Sequence, residues 1–522
     1  MANPSVNRRI AMSAGIVMAA VLASRVLGFL RDWTVAHQIG SNAITDAYYA
    51  AFTLPDFLNY LVAGGALSLT FIPVFAKYAA DNLEDEGWHV FSTVITVMGS
   101  LLVVLVIVGE IFAPHLIQVI APGFAPAEKA RAIFLTRLML PAQVCFYLGS
   151  ILSAVQYAKA KFLIPSLAPV VYNAGIIVGG LLLSSRIGIT GFAVGVLAGA
   201  FLGNFALQVF GAWRVGARLR PNADVAHPGF KMFIKLTIPI MLALSLVFTD
   251  DWIIRWFGSY LQPASISWLS YAKTLMRVPI GVVGQAAGVA SFPFLAQLYS
   301  EKKFGEMNRA LNSTLKGVML LLLPISALAI AQSRPLVYFI YSHTRLHPAD
   351  LDATAATLVF FSLGMCAWGV QGILSRGFYA ARDTLTPAVS GTIITFLSLP
   401  LYWLLVHHIQ HLGLALASSC GVIVYALILF ILLDRKLRNR EAGGLGVFFL
   451  KVTLASAVAA AAAYRLVGWL ETRLAWRTTH GAFELLVITS TVGFLLTFAL
   501  AKLLRVREVD SYLGKLRRLR SS

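Results

Sequence analysis

The sequence predicts an all-α polytopic membrane protein, with two six-helix lobes related as a parallel repeat and two extra C-terminal helices. Three observations predict this fold class: the composition, a series of long apolar runs and an internal repeat. Of the 522 residues, 58% are apolar and 12% are charged, and the mean hydropathy is +0.77. Soluble domains carry about twice that share of charge. So few charges cannot cover the surfaces of soluble domains, which excludes an ordinary soluble enzyme.

About fourteen transmembrane helices are predicted from the apolar runs. A membrane-spanning helix needs about 20 mostly apolar residues. Runs of that length, separated by Gly, Pro or charged residues, centre near Ala20, Leu61, Val103, Phe146, Ile176, Val196, Leu244, Val283, Leu321, Leu363, Leu397, Val424, Val458 and Gly493. The second and eighth runs are interrupted by polar residues and prolines. In the sixth, Gly195, Gly199 and Gly203 predict close packing against a neighbouring helix.

The basic residues predict the orientation. The chain has 42 Lys and Arg against 23 Asp and Glu; 26 of the basic residues fall on one side of the predicted membrane, seven on the other and nine within the helices. Cytoplasmic loops are enriched in Lys and Arg, so both termini are predicted to be cytoplasmic. The net charge of +19 is therefore explained mostly by the basic residues that set the orientation in the membrane. The basic tail is predicted to meet anionic lipid headgroups rather than nucleic acid.

Two segments match in register at an offset of 222 residues, and a fainter match has an offset of 220. The identities include Ser153/Ser375, Tyr157/Tyr379 and Pro165/Pro387 at the first offset, and Gly64/Gly284 and Pro73/Pro293 at the second. The copies are six predicted helices apart, so both cross the membrane in the same direction, as in transporters built from parallel repeats. The predicted organisation is an N-terminal lobe at 1–222, a C-terminal lobe at 223–440, helices thirteen and fourteen at 441–505, and a basic cytoplasmic tail at 506–522.

Charged residues inside the predicted helices are the candidate functional residues, because intramembrane charge is costly and usually faces a cavity or a partner. Arg25 lies well inside the first helix, and Arg31-Asp32 follows nearly two turns later. Asp46 opens the second helix. Lys235, Lys451 and Arg465 are predicted instead to be side chains that reach back to the membrane surface.

Two further charged sets lie in the predicted second lobe. Lys273 and Arg277 are four residues apart, hence on one face of the eighth helix. Two cations on one face repel each other and suggest an anion or an aqueous cavity. Asp250-Asp251, with Arg255 one turn on, form either a cation site or an intrahelical ion pair. Because Arg forks onto phosphate oxygens, these residues predict an exporter or flippase of an anionic, lipid-linked substrate.

Other function classes fit less well. A drug or cation antiporter would place acids in its cavity, whereas the candidates here are mainly basic. An embedded enzyme such as a glycosyltransferase needs a carboxylate cluster on a sizeable loop, and the predicted loops are short. Cys145, Cys366 and Cys420 have neither disulfide nor metal spacing. A cluster of histidines is interpreted as part of an interfacial loop rather than a metal site: His407, His408 and His411. No catalytic residue, metal or cofactor is predicted.

Several segments resemble the MviN/MurJ family of lipid II flippases, in the multidrug/oligosaccharidyl-lipid/polysaccharide exporter superfamily. They lie at 24–32, 45–56, 121–124, 279–284 and 377–387. The resemblance covers essentially the whole chain. It implies transfer of a lipid-linked peptidoglycan precursor across the bacterial inner membrane by alternating access, a basic inward-facing cavity, a groove from the last two helices for the polyprenyl tail, and coupling to an ion or the membrane potential.

The resemblance also assigns roles to particular residues. Arg25, Arg31, Asp32 and Asp46 match cavity or gate positions of the family. The chain departs from the family at two places: Asn59 stands where the second helix usually has an Arg, and the eighth helix reads Lys273-Thr274 and then Arg277 where an Asp-Arg pair and an acid are usual. Lys273 and Arg277 restore the lost positive charge from shifted positions, or the chain is a divergent paralogue that moves another polyprenyl-linked saccharide.

Overall fold

The computed structural model describes residues 4–59, 66–245, 249–437 and 442–509. Every regular element in these ranges is a helix. The α-helices are α1 Pro4–Gln38, α2 Ala43–Ala51, α3 Thr53–Leu58, α4 Ala66–Ala80, α5 Glu84–Ile120, α6 Pro126–Met139, α7 Ala142–Ala158, α8 Leu163–Ile187, α9 Thr190–Gly199, α10 Leu207–Arg214, α11 Pro228–Ser245, α12 Thr249–Gly258, α13 Ser265–Pro279, α14 Gln285–Ser300, α15 Phe304–Ala331, α16 Ser333–Tyr341, α17 Pro348–Ala380, α18 Leu385–Leu437, α19 Ala442–Glu471 and α20 Thr479–Leu503. π-Helical segments at Ala200–Ala206 and Ile280–Gly284 interrupt the series.

The predicted all-α polytopic fold is confirmed. Ten helical stretches in the described ranges are long and apolar enough to cross a membrane. The count of fourteen stays a prediction, because the centre of the second predicted helix, Leu61, lies outside the described residues, and the seventh runs into 246–248, which also lie outside them. One of the ten stretches, α18, holds two helices, since Ile409 and Gln410 have non-helical backbone angles.

The backbone repeats itself at the offsets found in the sequence. Gly188 has φ 57° and ψ −138°, and Gln410, 222 positions later, has φ 50° and ψ −129°. Helix ends with positive φ recur in the same way, as Ala160 and Arg382 at an offset of 222 and as Asn82 and Lys302 at an offset of 220. Each of these ends is closed by a hydrogen bond from the following N–H to the carbonyl five residues earlier. The predicted repeat is therefore a repeat of backbone turns as well as of side chains.

The chain forms two compact units, Met1–Ser267 and Trp268–Ser522. Aromatic side chains build much of the core of the first unit, where Phe71, Phe91 and Phe233 are fully or almost fully buried. Because Phe233 belongs to this core, α11 packs with the first unit although it lies beyond residue 222. The core of the second unit is mainly aliphatic and includes Leu315 and Ile373. The lobe boundaries stay a prediction.

Glycines let α8 and α9 approach closely. A Cβ on Gly199 would lie 2.5 Å from the carbonyl oxygen of Tyr172, and one on Gly195 would lie 2.8 Å from that of Gly175. Any larger side chain would force the backbones apart. The predicted packing role of the Gly195, Gly199 and Gly203 series is confirmed.

Candidate substrate site and the Asp46 contact

The side chain of Arg31 is held at two of its edges. Its Nε and Nη2 atoms each lie 2.9 Å from Oδ1 of Asp32, and Nη1 donates to Oδ1 of Asn173 at 3.5 Å. Asn173 belongs to α8, and its amide donates to the carbonyl oxygen of Pro169 at 3.0 Å. The side chain of Arg31 nevertheless stays 28% exposed. A positioned guanidinium with free surface can bind an anion.

Asn173 also connects to the other end of the 24–32 segment. Its amide donates to the backbone oxygen and the hydroxyl oxygen of Ser24, each at 3.4 Å. Arg25 follows directly on α1, and its side chain is exposed. Sequence reasoning missed Asn173, although a lone Asn inside an apolar membrane helix is a usable signal. Asn173 of α8 thus contacts both Arg31 and Ser24 of α1.

Asp46 makes a different kind of contact. Asp46 is 3% exposed and lies in the first turn of α2. The side chain of Asn42 caps the start of this helix. One carboxylate oxygen accepts the backbone N–H of Ala264 at 2.8 Å, while the other accepts the backbone N–H of Ser267 at 2.7 Å and also its hydroxyl. These donors flank the start of α13, where free N–H groups and the helix dipole favour a negative charge. Both carboxylate oxygens of Asp46 therefore accept hydrogen bonds from the protein itself.

Arg255 contacts residues that the sequence did not link to it. Its Nη1 donates to the hydroxyl of Thr53 at 2.7 Å, and Nη2 lies 3.8 Å from Oδ2 of Asp56. Asp250 and Asp251 are half-buried in the first turn of α12. The cation site or ion pair at these two carboxylates stays a prediction. Sequence reasoning missed the contact of Arg255 with Asp56.

Lys273 and Arg277 lie on one helix in different surroundings. Lys273 is 5% exposed, and its Nζ lies 5.8 Å from the ring centre of Phe361 and 6.0 Å from that of Trp368. These are cation–π distances. Arg277, one turn on, is exposed. Asn59 is half-buried at the end of α3. The structure therefore does not give Lys273 and Arg277 a shared environment.

Over the ranges that the structure describes, no group of three or more His, Cys, Asp or Glu residues is placed to hold a metal ion. The long apolar helices and the charged pairs inside them define a multi-pass membrane protein of the transporter class. The profile of the family described as "Lipid II flippase MurJ" matches residues 35–484. The chain belongs to the MurJ family.

Relatives from several bacteria agree with this assignment. The chain is 28% identical over 471 residues to the lipid II flippase MurJ of Burkholderia cenocepacia, covering 88% of this chain and 90% of the relative. It is 28% identical over 450 residues to the probable lipid II flippase MurJ of Buchnera aphidicola subsp. Acyrthosiphon pisum, covering 85% and 87%. With the probable lipid II flippase MurJ of Thermotoga maritima it shares 26% identity over 511 residues, covering 98% and 99%.

Solved structures share the fold. One described as "Lipid II flippase MurJ, inward closed conformation" superposes with a TM-score of 0.78 at 24% identity, covering 94% of this chain and 98% of that one. An inward-facing multidrug resistance MATE family transporter of the MOP superfamily superposes with a TM-score of 0.64 at 14% identity, covering 81% and 98%. At these identities the likeness concerns the fold alone.

Proposed function

We propose that this protein moves lipid II, the lipid-linked peptidoglycan precursor, from the inner to the outer leaflet of the bacterial cytoplasmic membrane. The observation that carries the proposal is the family match across residues 35–484, supported by relatives named lipid II flippases. The protein would act as a transporter without a chemical reaction. Both termini would lie in the cytoplasm, where the basic residues concentrate.

The arrangement at Arg31 supports recognition of a diphosphate. The Asp32 carboxylate and the Asn173 amide oxygen fix the guanidinium plane, while part of the side chain stays accessible. A planar guanidinium can donate two parallel hydrogen bonds to phosphate oxygens. The exposed Arg25 on the same helix would add positive charge, and the exposed Arg277 would add it from the predicted second lobe.

The Asp46 contact supports an alternating-access cycle. Asp46 precedes the predicted lobe boundary at residue 222 and its donors Ala264 and Ser267 follow it, so this contact within the first compact unit joins parts of the two predicted lobes. A cycle in which the lobes rock would break these hydrogen bonds on one side of the membrane and restore them later. The contact would then stabilise one state of the cycle. The membrane potential or a coupling ion would supply the bias.

The test is growth rescue. The gene is expressed in a bacterium whose own lipid II flippase can be depleted, and the protein's level in the membrane is measured in parallel. Rescue of growth and cell shape is expected, and an Arg31→Ala variant present at the same level should not rescue. A correctly inserted, well-expressed wild-type protein that fails to rescue would contradict the proposal.

A second measurement separates lipid II from other polyprenyl-linked saccharides. Native mass spectrometry of the protein purified from cells identifies the lipid that it retains. Lipid II is expected, and loss of its signal in Arg31→Ala would tie binding to the site. Retention of a different polyprenyl diphosphate in its place would identify a divergent paralogue.

A further inference from the structure

A cavity of about 570 Å³ lies in the second unit, away from the residues discussed above. Its walls come from the end of α15, the start of α16, the first half of α17 and the second half of α19. The family's predicted tail groove is attributed to the last two helices, whereas α20 contributes no residue to this cavity.

The cavity changes character along its length. Arg334 and Glu471 line one end, whereas Ala460, Ala461 and Val359 line the other, and Arg465 lies between the two ends on α19. From Glu471 to Ala460 the wall follows α19 for about 16 Å, at 1.5 Å per helical residue. Glu471 is the last residue of α19, so the charged end lies level with the membrane surface and the apolar end lies among the acyl chains.

Aromatic residues mark the same level. Trp469 is 56% exposed and stacks with the guanidinium of Arg473 at 5.4 Å, while the rings of Tyr338 and Trp476 lie 5.4 Å apart. Trp and Tyr concentrate at the headgroup region of membranes. This belt places the charged end of the cavity among lipid headgroups independently of which side of the membrane it faces.

The charged side chains that line the cavity specify the headgroup. Arg334 is already paired with Asp352, with Nε 3.2 Å from Oδ1. Within the described part of the chain, Arg465 and Glu471 make no hydrogen bond or ion pair. One available cation and one available carboxylate match a headgroup that carries a phosphate and an ammonium. A purely anionic headgroup would meet the Glu471 carboxylate without compensation.

We infer that this cavity binds a resident phospholipid whose headgroup carries a phosphate and a primary ammonium, of which phosphatidylethanolamine is the common example. Arg465 would hold the phosphate, Glu471 would accept a hydrogen bond from the ammonium, and an acyl chain would lie against Ala460, Ala461 and Val359. This site does not depend on the proposed transport function.

The experiment measures lipid retention. The full protein is purified, stripped of lipid in detergent and mixed with equal amounts of phosphatidylethanolamine, phosphatidylcholine and phosphatidylglycerol, and bound lipids are counted by native mass spectrometry. The wild type should retain phosphatidylethanolamine about tenfold over the other two, since hydrogen bonds to charged groups are strong enough for that ratio. Equal retention of all three would overturn the inference.

Variants locate the site. Arg465→Gln should lower retention of phosphatidylethanolamine about tenfold, and Glu471→Gln should abolish the preference over phosphatidylglycerol. Arg473→Gln removes the same charge at the same end of the membrane but outside the cavity, and should change nothing. An equal loss in Arg473→Gln and Arg465→Gln would overturn the site.

A variant that fills the cavity tests the site even if the charge variants misfold. Gly468 lines the cavity, and a Cβ there would meet no atom within 4 Å. Gly468→Trp should therefore fold, with an unchanged thermal midpoint in lipid-free detergent, and should exclude the lipid. Continued phosphatidylethanolamine binding by a folded Gly468→Trp protein, or displacement of that lipid by a polyprenyl diphosphate in the wild type, would contradict the inference.

Discussion

Asp46 and Ser267 lie 221 residues apart in sequence, yet one carboxylate oxygen of Asp46 accepts both the backbone N–H and the hydroxyl of Ser267. The other oxygen accepts the N–H of Ala264. A single buried carboxylate thus satisfies several donors at the start of α13. Loss of an acceptor atom leaves a buried N–H group without a partner, and loss of the charge weakens the hydrogen bonds that remain; both are costly in the interior of a protein.

The first prediction follows from this contact. Asp46→Asn removes the charge and turns an amide N–H₂ toward one of the backbone donors. Unfolding should become easier by about 2 kcal/mol, the scale of a buried unsatisfied group. The measurement is the thermal midpoint in detergent at a fixed scan rate, because unfolding of a protein of this kind is not expected to be reversible.

A matched control is Asp85→Asn. Asp85 forms an ion pair with Arg218 at 2.8 Å, but their side chains are 87% and 65% exposed. Exposed pairs contribute little to stability, so this variant should keep the wild-type midpoint. If both substitutions lowered the midpoint equally, the Asp46 contact would stabilise the protein no more than an exposed ion pair does.

The second prediction concerns the geometry of Arg31. Arg31→Lys keeps the positive charge but replaces a planar fork by one ammonium group, which cannot hold Asp32, Asn173 and a phosphate in the same way. Growth rescue should be lost or strongly reduced while the amount of protein in the membrane stays the same. The control is Arg131→Lys at an exposed position of α6, which should rescue fully. Equal rescue by both variants would mean that charge alone suffices at residue 31.

The third prediction separates Lys273 from Arg277. Lys273 is buried against two aromatic rings, so Lys273→Ala should lower the thermal midpoint through lost packing and cation–π contact. Arg277 is exposed, so Arg277→Ala should leave the midpoint unchanged and reduce transport only. Midpoints and growth rescue are measured for each variant. A stable Lys273→Ala protein together with an unstable Arg277→Ala protein would reverse the assignment.

Most of the fold could be predicted from the sequence, but less of the candidate site could. The helices could be predicted because a membrane-spanning helix must be long and apolar. The repeat could be found because residues near the helix ends, such as Tyr157 and Tyr379, recur at a fixed offset. The Asp46–Ser267 contact could not be predicted in the same way. A hydrogen bond between residues so far apart depends on how helices pack, and no spacing rule within one helix encodes it.

Partners of the candidate residues show the same limit. The sequence picks out Arg31 and Arg255 because a charge in an apolar run is conspicuous. It does not say that Arg31 meets Asn173 or that Arg255 meets Thr53 and Asp56. Nor does it say that Lys273 and Arg277, one turn apart, differ in burial, because that depends on the helix that packs against each side chain.

The fourth prediction concerns pH. Asp383 precedes α18, and its carboxylate accepts hydrogen bonds from Lys436 at 2.5 Å, from the backbone N–H of Thr386 at 2.9 Å and from its hydroxyl at 2.7 Å. Partial burial raises the pKa of Asp383, but the hydrogen bonds from Lys436 and Thr386 outweigh it, so the pKa lies below the ordinary value of 3.8. The unfolded chain therefore takes up the proton at a higher pH than the folded chain.

A lowered pKa contributes stability that is complete above the unfolded value and disappears as the pH falls through the folded value. Asp383→Asn should thus lower the thermal midpoint at neutral pH, by the equivalent of about 1 kcal/mol for the lost ion pair with the partly exposed Lys436, and the gap to wild type should close below pH 3.8. Asp81→Asn, in an exposed loop, is the control and should show no gap. If the difference in midpoint between Asp383→Asn and the wild type stayed constant down to acid pH, ionisation of the Asp383 carboxylate would not be its cause.

The last prediction uses the repeated turn at Gly188 and Gln410. Both residues have positive φ and strongly negative ψ, a conformation that glycine adopts freely and that strains a residue with a Cβ. The first copy has glycine and the second does not. The side chain of Gln410 is exposed, so Gln410→Gly should lose little packing and relieve about 1 kcal/mol of strain, raising the thermal midpoint. Gly188→Ala should lower the midpoint by a similar amount, and through strain alone, because a Cβ on Gly188 would meet no atom within 4 Å. Scanning both variants beside the wild type tests the pair, and shifts of the same sign would show that this backbone turn is not the source of the difference.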